Sequence, residues 1–437
     1  MQLNRLLCLL ATLPVIAAQG SPVWTVDEAI ATALRQNPDA EVARHRIEAA
    51  QSMIEQANSA WQPHIGVSGR YMDTNSPMMA FGSILNQRAF NFGLDFNHPG
   101  RIDDLNLAGT VGYNLYSGGQ ATAGRNAARA GTRAAEQDLL AVQHQLAAEV
   151  VKAILNLRKA REGVVAVTSG VKAYEAAVNN ARLRFEAGQL LKADLLSLEV
   201  QLAQTKEQLS SARHGAALAA RAFTFVLGSD NTTDSIDLAE NDAALEHLTA
   251  PDATDFSHRP ELIGLRERLS AAESMVEAAR GSRRPTVNAF ASYQYDQGWQ
   301  LDRHADSWMA GVAVELNVFD GGQTSGKIRQ TNAEMAQVKA MLRKATLGIS
   351  LEVEQARLAH IDAKERLMVT SEAVAQAEES AALSRARFEK GALLTAELIG
   401  SESRLIEARM HHTIAAADER LALVELRRAL GLTPVSQ

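Results

Sequence analysis

The sequences RFEAGQLLKADL at residues 184–195 and RFEKGALLTAEL at residues 387–398 decide the fold, because they are two copies of one helix–turn–helix pattern. In each copy a helical run without proline reaches a glycine, Gly188 or Gly391, and an apolar helical pattern resumes directly afterwards. The copies lie 203 positions apart. One such turn alone is a weak signal, but two at a fixed spacing indicate an internal duplication.

The spacing of 203 extends outward from both turns. Gly118-Gly119-Gln120 recurs at residues 321–323, and Leu227-Gly228 recurs at residues 430–431. The register therefore holds over more than a hundred residues, which chance does not produce.

Nearer the start of the chain the spacing is 222, because the first copy has 19 more residues between Tyr71 and Tyr116. The positions that recur at this spacing are Pro38, Pro63 and Tyr71, matched by Pro260, Pro285 and Tyr293. The duplication predicts a first repeat at 20–230, a linker at 231–256, a second repeat at 257–431 and a tail at 432–437.

Each Gly-Gly-Gln turn opens a very long helical stretch, since no proline occurs from Gln120 to about Ala187 or from Gln323 to about Lys390. At 1.5 Å rise per residue, roughly 65 residues reach on the order of 100 Å. Aromatic residues make up only 5% of the chain and alanine is abundant, a composition that favours helices in close lateral contact. Returning helices are expected from about Leu190 to Leu227 and from about Leu393 to Leu430.

Each repeat also contains two segments in which apolar and polar residues alternate, as in β-strands with one apolar face. The apolar positions are Ile65, Val67, Gly69 and Tyr71; Leu105, Leu107, Gly109, Val111, Tyr113 and Leu115; Val287, Ala289, Ala291, Tyr293 and Tyr295; and Trp308, Ala310, Val312, Val314, Leu316 and Val318. Segments of roughly ten residues suit transmembrane strands, and the aromatic residues near their ends suit the membrane interface. Turn-rich segments at 74–104 and 296–306 are expected to be extracellular loops.

Four strands cannot close a membrane barrel by themselves, because single-chain barrels need at least about eight. Unpaired strand edges in lipid cost several kcal/mol for each unsatisfied backbone group. We therefore expect several copies of the chain to assemble, although composition does not set their number.

The first residues predict a secretory signal peptide at 1–19: Arg5 precedes an apolar run from Leu6 to Ala18. The only cysteine, Cys8, lies early in this run, so disulfides and thiolate metal sites are not expected. No later run has the roughly 18 apolar residues of a membrane-spanning helix, which leaves a closed β-barrel as the way to span a membrane. The net charge of −7 gives no support to a nucleic-acid partner.

No pattern predicts catalysis, a metal or a cofactor. His411 and His412 are adjacent and diverge by about 100° on a helix, so they cannot chelate together. The glycine pair at 118–119 lacks the Lys-Ser/Thr ending of a phosphate loop. Asp103 and Asp104 are interpreted as turn residues, and no Ser/His/Asp set has a nucleophile elbow.

The doubled order of helix, proline, strand, loop, strand, Gly-Gly-Gln and long helix, together with both glycine turns, resembles the TolC-like outer membrane efflux proteins. The resemblance covers nearly all of the chain after the signal peptide. It implies a homotrimer with a twelve-stranded β-barrel in the outer membrane and a periplasmic α-barrel of long coiled-coil helices. It also implies a passive duct that meets a periplasmic adaptor protein and an inner-membrane pump of the resistance-nodulation-division type.

The resemblance also assigns site residues. The turn residues Arg184, Gly188, Leu190, Arg387, Gly391 and Leu393 would contact the adaptor at the periplasmic tips. Asp194 and Glu397 would place six carboxylates at the entrance of a trimer and favour cations. The alternative for both is an ordinary solvated position on a helix face. The chain departs from the family pattern at Phe388, where some relatives have tyrosine, and at Leu393, where an arginine can tie neighbouring helices.

Two other functions fit parts of the sequence. The exit duct of a type I protein secretion system has the same architecture and differs in its inner-membrane partner. A periplasmic coiled-coil scaffold would explain the long helices, but not the four alternating segments with aromatic ends.

Overall fold

A computed structural model describes residues 23–95, 97–229, 236–239, 248–251 and 255–433. The predicted signal peptide lies outside the described residues, as do most of the predicted linker and the tail after Thr433. The repeat boundaries remain predictions.

The described residues form long helices and a small number of strands. The helices are α1 (Val26–Gln36), α2 (Pro38–Asn58), α3 (Pro77–Asn86), α4 (Gln120–Glu186), α5 (Lys192–Leu227), α6 (Pro260–Gly281), α7 (Gln323–Glu389) and α8 (Thr395–Ala429). The strands are β1 (Val23–Trp24), β2 (His64–Thr74), β3 (Ile102–Tyr116), β4 (Asp237–Leu238), β5 (Thr286–Gly298) and β6 (Arg303–Glu315).

The first helical stretch is interrupted once, at Asn37, because the residue before a proline is driven out of the helical conformation. Thr25 begins α1 with a capping box, in which its hydroxyl accepts from the Glu28 amide and the Glu28 carboxylate accepts from the Thr25 amide. Pro38 then starts a second helix, α2.

Two long helices of equal length confirm the predicted duplication. Helices α4 and α7 each contain 67 residues, and they begin 203 positions apart. Ser117 caps α4 by accepting a hydrogen bond from the Ala121 amide at 3.1 Å. Asp320, at the matching position, accepts from the amides of Gly322 and Thr324 at 3.0 and 2.8 Å.

Strands β2, β3, β5 and β6 form one antiparallel sheet in the order β2-β3-β5-β6. Its register places the four predicted apolar sets on a single face. Val67 pairs with Gly109, Gly109 with Tyr293, and Tyr293 with Trp308. This face is exposed in the chain, with Val67 86% and Trp308 77% accessible. In the part of the chain that the structure describes, β2 and β6 are the edges of this sheet and have no partner strand on their outer side.

Three details differ from the sequence predictions. Strand β6 ends at Glu315, so Leu316 and Val318 follow the strand instead of belonging to it. The expected loop at 296–306 shrinks to a turn at 299–302, because β5 and β6 extend beyond the apolar alternation. The expected loop at 74–104 contains the ten-residue helix α3.

The described chain forms two compact units. The first contains α1, α5, α8 and the parts of α4 and α7 that precede the glycine turns; its core includes Val150, Leu157 and Phe223. The second contains α2, α3, α6, the four-stranded sheet and the remaining parts of α4 and α7. None of the described helices combines the length and apolar character needed to cross a membrane.

Candidate functional site

The two glycine turns have the same backbone structure. Gly188 and Gly391 have φ values of 71° and 74°, a conformation that glycine adopts without steric strain. The amide of Gly188 donates to Phe185 O, and the amide of Gly391 donates to Phe388 O, both at 2.9 Å. These bonds satisfy the last carbonyl groups of α4 and α7, so both helices end at a fixed residue.

Asp194 and Glu397 occupy the first turns of α5 and α8. A carboxylate there interacts favourably with the positive end of the helix dipole. The residues before these helices, Leu191 and Leu394, offer no side-chain cap. Asp194 is half-buried and Glu397 is exposed. The structure does not bring these two carboxylates into contact, and their entrance role remains a prediction.

The structure does bring the two turns together through Arg184. Its Nη1 donates to Phe388 O at 3.0 Å, and its guanidinium carbon lies 5.4 Å from the centre of the Phe388 ring. A Cβ atom at Gly391 would stand 3.1 Å from Arg184 Nη2, so glycine also leaves room for this arginine. The first turn thus ties down the second turn within one chain.

Among the described residues, no equivalent bond runs from the second turn to the first. Phe388 is 2% exposed, whereas Phe185, its counterpart in the first copy, is 38% exposed. Among the described residues, the exposed side chain of Arg387 makes no hydrogen bond equivalent to the one from Arg184 to Phe388 O. Phe388 of the second turn is therefore buried within the chain, whereas Phe185 of the first turn is not.

Two ion pairs at matching positions of the two repeats also differ in burial. Arg182 binds Glu199 across α4 and α5 at 2.9 Å, and Arg385 binds Glu402 across α7 and α8 with Nη2 to Oε2 at 2.8 Å. The Glu402 side chain is 2% exposed, and that of Glu199 is 36% exposed. Hydrogen bonding to Glu402 raises the pKa of the Arg385 guanidinium. The sequence analysis did not identify these four residues as ion pairs, although the two pairs lie 203 positions apart, at the spacing of the duplication.

The turn leucines join one hydrophobic cluster. Leu190 and Leu393 both pack against a core that includes Tyr174, Leu198 and Leu398. Of the predicted turn residues, Arg184 contacts the second turn and both leucines share one cluster, while Gly188, Gly391 and Arg387 are exposed.

A second polar site lies where α3 packs against the sheet. Gln87, fully buried, follows α3, and its Nε2 donates to Asp103 O at 2.8 Å and to Asp104 Oδ1 at 2.9 Å. The Asp103 carboxylate accepts from the amides of Trp299 and Gln300 at 3.1 and 2.7 Å. The interpretation of Asp103 and Asp104 as turn residues was wrong, because both are buried residues of β3.

This site holds α3 on the polar face of the sheet. Asp104 and Asn106 point away from the apolar face, and Asn106 Nδ2 donates to Asp296 Oδ1 at 2.8 Å. Gly298 on β5 leaves space for Gln87, since a Cβ atom there would collide with the Gln87 amide. No group of three His, Cys, Asp or Glu side chains among the described residues has a geometry that could hold a metal ion.

The sequence matches the outer membrane efflux protein family over residues 29–229 and 256–432. Each matched range contains one long helix and one glycine turn. The match covers most of the chain and confirms the resemblance inferred from the duplicated turns.

Individual relatives agree with this match. Protein CyaE of Bordetella pertussis is 24% identical over 92% of this chain and 83% of its own length. Outer membrane efflux protein BepC of Brucella suis is 25% identical over 54% of this chain and 53% of its own length. The crystal structure of the CmeC outer membrane channel of Campylobacter jejuni superposes with a TM-score of 0.79 at 15% identity, over 98% of this chain and 94% of that chain. At this identity the superposition establishes the fold.

Proposed function

The chain belongs to the outer membrane efflux protein family, and from this premise we propose that three copies form a passive exit duct through the outer membrane and the periplasm. The protein is located in the outer membrane with a large periplasmic part, and it is a channel component without enzymatic activity. A soluble periplasmic scaffold is thereby excluded.

The observation that supports assembly of several copies is the open four-stranded sheet. Its edges, β2 and β6, are unpaired, and its apolar face is exposed in the single chain. In lipid, unpaired backbone groups cost several kcal/mol each, so both edges need partners. A closed ring of copies pairs every edge, and the number three, which gives twelve strands, follows the family resemblance.

The polar face of the same sheet suits the lumen of this barrel. Asp104, Asn106 and Asp296 lie on it, opposite the apolar side chains that face lipid. Helices α4, α5, α7 and α8 would continue the lumen as a periplasmic cylinder. We propose that a lumen lined by small and polar residues leaves the choice of cargo to the partner that loads the duct.

We place the periplasmic entrance at the two glycine turns. Leu191 and Leu394 beside these turns are each 71% exposed, which provides apolar surface for a protein partner. A periplasmic adaptor would bind here through Arg184, Gly188, Leu190, Arg387, Gly391 and Leu393. Asp194 and Glu397 would then surround the entrance. We propose that the energy for transport comes from an inner-membrane pump of the resistance-nodulation-division type.

A type I secretion duct would need the same trimer and the same entrance. The partner recovered after cross-linking at the turns distinguishes the two functions. An adaptor with a proton-driven pump supports efflux, and an adaptor with an ATP-driven exporter supports secretion.

The proposal is tested with the full-length protein purified from outer membranes in detergent. Native mass spectrometry should give a trimer, and insertion into planar bilayers should give long-lived ionic conductance. A monomer, or a protein recovered in the soluble periplasmic fraction, would refute the duct.

A further inference from the structure

Two buried oxygen atoms near the end of α3 have no hydrogen-bond partner among the described residues. They are Gln87 Oε1 and Asp296 Oδ2. Gln87 is fully buried, and Asp296 is 1% exposed. A buried acceptor without a donor destabilises the folded chain, and a buried charge without a partner does so more strongly. These two atoms therefore indicate a site for a donor or a cation.

The register of the sheet brings both atoms to one place on its polar face. Asp296 on β5 pairs with Asn106 on β3, and Asp104 lies two residues before Asn106 on the same face. Gly298 lies two residues after Asp296, and a Cβ atom there would overlap Gln87 Oε1. The Gln87 amide therefore lies over β5 beside Asp296, with Asp104 on the neighbouring strand.

The hydrogen bonds of this region determine which oxygens remain for a ligand. Gln87 Nε2 uses both of its hydrogens, on Asp103 O and Asp104 Oδ1, and this fixes the orientation of the amide oxygen. Asn106 Nδ2 donates to Asp296 Oδ1, which leaves Oδ2 of that carboxylate available. The bond from Gln87 to Asp104 uses Oδ1, which leaves Oδ2 available there as well.

The charges around these oxygens favour a cation over a water molecule. Asp104 and Asp296 are both buried, and the charge of Asp296 acts on Asp104. Arg70 on β2 and Arg303 on β6 share this face of the sheet, but both side chains are exposed, and water screens their charges. A water molecule would donate to the oxygens and leave two negative charges buried. A cation would satisfy the oxygens and balance the charges together.

The chemistry of the ligands selects a hard divalent cation. Carboxylate and amide oxygens are typical ligands of Ca²⁺, which accepts irregular geometry, whereas Mg²⁺ demands a near-ideal octahedron. Asp104 and Asp296 come from two strands, and Gln87 comes from the residue after α3, which gives an irregular set. Since no three Asp, Glu, His or Cys side chains converge in the described part of the chain, water would complete the coordination.

We propose that Asp104, Asp296 and Gln87 bind one Ca²⁺ ion in each chain, and that this ion fastens α3 to the sheet. Two carboxylates and one amide suit weak binding, with a Kd on the order of 10⁻⁴–10⁻³ M. In the proposed barrel this site is at the outer opening, where external Ca²⁺ reaches it. All of its ligands belong to a single chain, so the site does not depend on the proposed trimer.

Ca²⁺ binding is tested with Tb³⁺, a luminescent probe of Ca²⁺ sites, on the full-length protein purified in detergent. Trp299, whose amide donates to Asp103 at 3.1 Å, is close enough to sensitise the bound ion. We expect Tb³⁺ luminescence that is excited through tryptophan and displaced by Ca²⁺. Asp104→Asn and Asp296→Asn should each weaken Ca²⁺ binding by on the order of tenfold or more, because each removes one ligand charge.

Asp306→Asn is the matched control. Asp306 lies near the same end of the sheet on β6, but it pairs with Tyr295 of the apolar face and is exposed. Arg88 donates to the main-chain oxygen of Asp306, so the variant keeps this contact. Its Ca²⁺ affinity should equal that of the wild type. Ca²⁺ bound to residual lipopolysaccharide would not respond to any of the three substitutions.

Trp299→Phe tests the position of the ion without changing a ligand. It should abolish the luminescence while native mass spectrometry still counts one Ca²⁺ per chain. Luminescence that persists in this variant, or equal Ca²⁺ affinity in the wild type and both aspartate variants, would overturn the site. A native trimer that binds no Ca²⁺ at millimolar concentration overturns the site and leaves the duct intact. A monomer that binds one Ca²⁺ supports the site and refutes the duct.

The fastening of α3 has a separate test, which rests on the proposed duct. A chelator added on the outer side should raise the single-channel conductance of the wild type, because α3 loses one of its attachments to the sheet. The same chelator should leave the conductance of Asp296→Asn unchanged. An equal response of both proteins would overturn the role of the ion in holding α3.

Discussion

Arg385 and Glu402 join α7 to α8 through two hydrogen bonds, and the carboxylate of this pair is withdrawn from solvent. Its counterpart in the first hairpin, Arg182 with Glu199, keeps both partners accessible to water. The ion pair between α7 and α8 is therefore expected to contribute more to the stability of the chain than the one between α4 and α5.

The first prediction compares these pairs. Arg385→Ala leaves a buried carboxylate without its partner, which costs about 3–5 kcal/mol. Arg182→Ala removes an exposed pair worth about 0–1 kcal/mol. Thermal unfolding followed by far-ultraviolet circular dichroism should show a clearly lower midpoint for Arg385→Ala and a nearly unchanged one for Arg182→Ala. Equal midpoints would contradict this difference in burial.

The second prediction concerns the proposed entrance carboxylates. Reversing both charges, with Asp194→Lys and Glu397→Lys, should lower the cation-to-anion permeability ratio severalfold and weaken block by divalent cations. Glu207→Lys, an exposed charge farther along α5, is the control and should change the ratio much less. The measurement is the reversal potential in asymmetric salt. An unchanged ratio in the double variant would mean that both residues are ordinary helix-face carboxylates.

The third prediction concerns α3. In the proposed barrel, α3 lies on the lumen side and narrows the outer opening. Gly298→Ala would push against Gln87 and break its hydrogen bonds to Asp103 and Asp104, so the conductance should rise. Gln87→Ala should act in the same direction.

Gly112→Ala is the matched control for α3, because it adds a methyl group on the same polar face where no atom lies within 4 Å. Its conductance should equal that of the wild type. A rise in this control, or wild-type conductance in both test variants, would show that α3 does not restrict the opening.

The fourth prediction concerns pH. Hydrogen bonds from Thr324 and from the Gly322 amide lower the pKa of Asp320, the residue that caps α7. A lowered pKa in the folded state means that the stabilisation is present above the unfolded pKa of about 3.9 and is lost as pH falls through the folded value.

Asp320→Asn should therefore lower the thermal midpoint at neutral pH, and the gap to the wild type should narrow as the solution becomes acidic. Glu365→Gln, an exposed carboxylate within α7, serves as the control and should show a smaller gap at neutral pH. A gap that stays constant down to strongly acidic pH would rule out the capping carboxylate as its source.

The regular parts of the fold could be predicted from the sequence. Alternation in four segments predicted the shared apolar face, because a membrane strand repeats every two residues. The absence of proline predicted the lengths of α4 and α7. The C-terminal end of β6 was misplaced because Leu316 and Val318 continue the alternation beyond the last paired residue, Glu315.

Other features depend on contacts between distant residues and have no local signal. Helix α3 was missed because Asn75, Gly82 and Asn86 have the composition of a loop, while its stability comes from packing on the sheet. The bond from Arg184 to Phe388 joins residues 204 positions apart. Both turns predicted a helical hairpin, but neither predicted which hairpin would cover the other.

The lack of a side-chain cap at Leu191 and Leu394 has a consequence for local dynamics. No side chain among the described residues caps the first amides of α5 and α8, whose earliest main-chain bonds run from Asp194 N to Leu191 O and from Glu397 N to Leu394 O; the starts of α4 and α7 have the side-chain caps Ser117 and Asp320. Amide hydrogen exchange is therefore expected to begin at the turns and to proceed along α5 and α8 toward their C-terminal ends. A partner that supplies acceptors to these amides would slow the exchange there first.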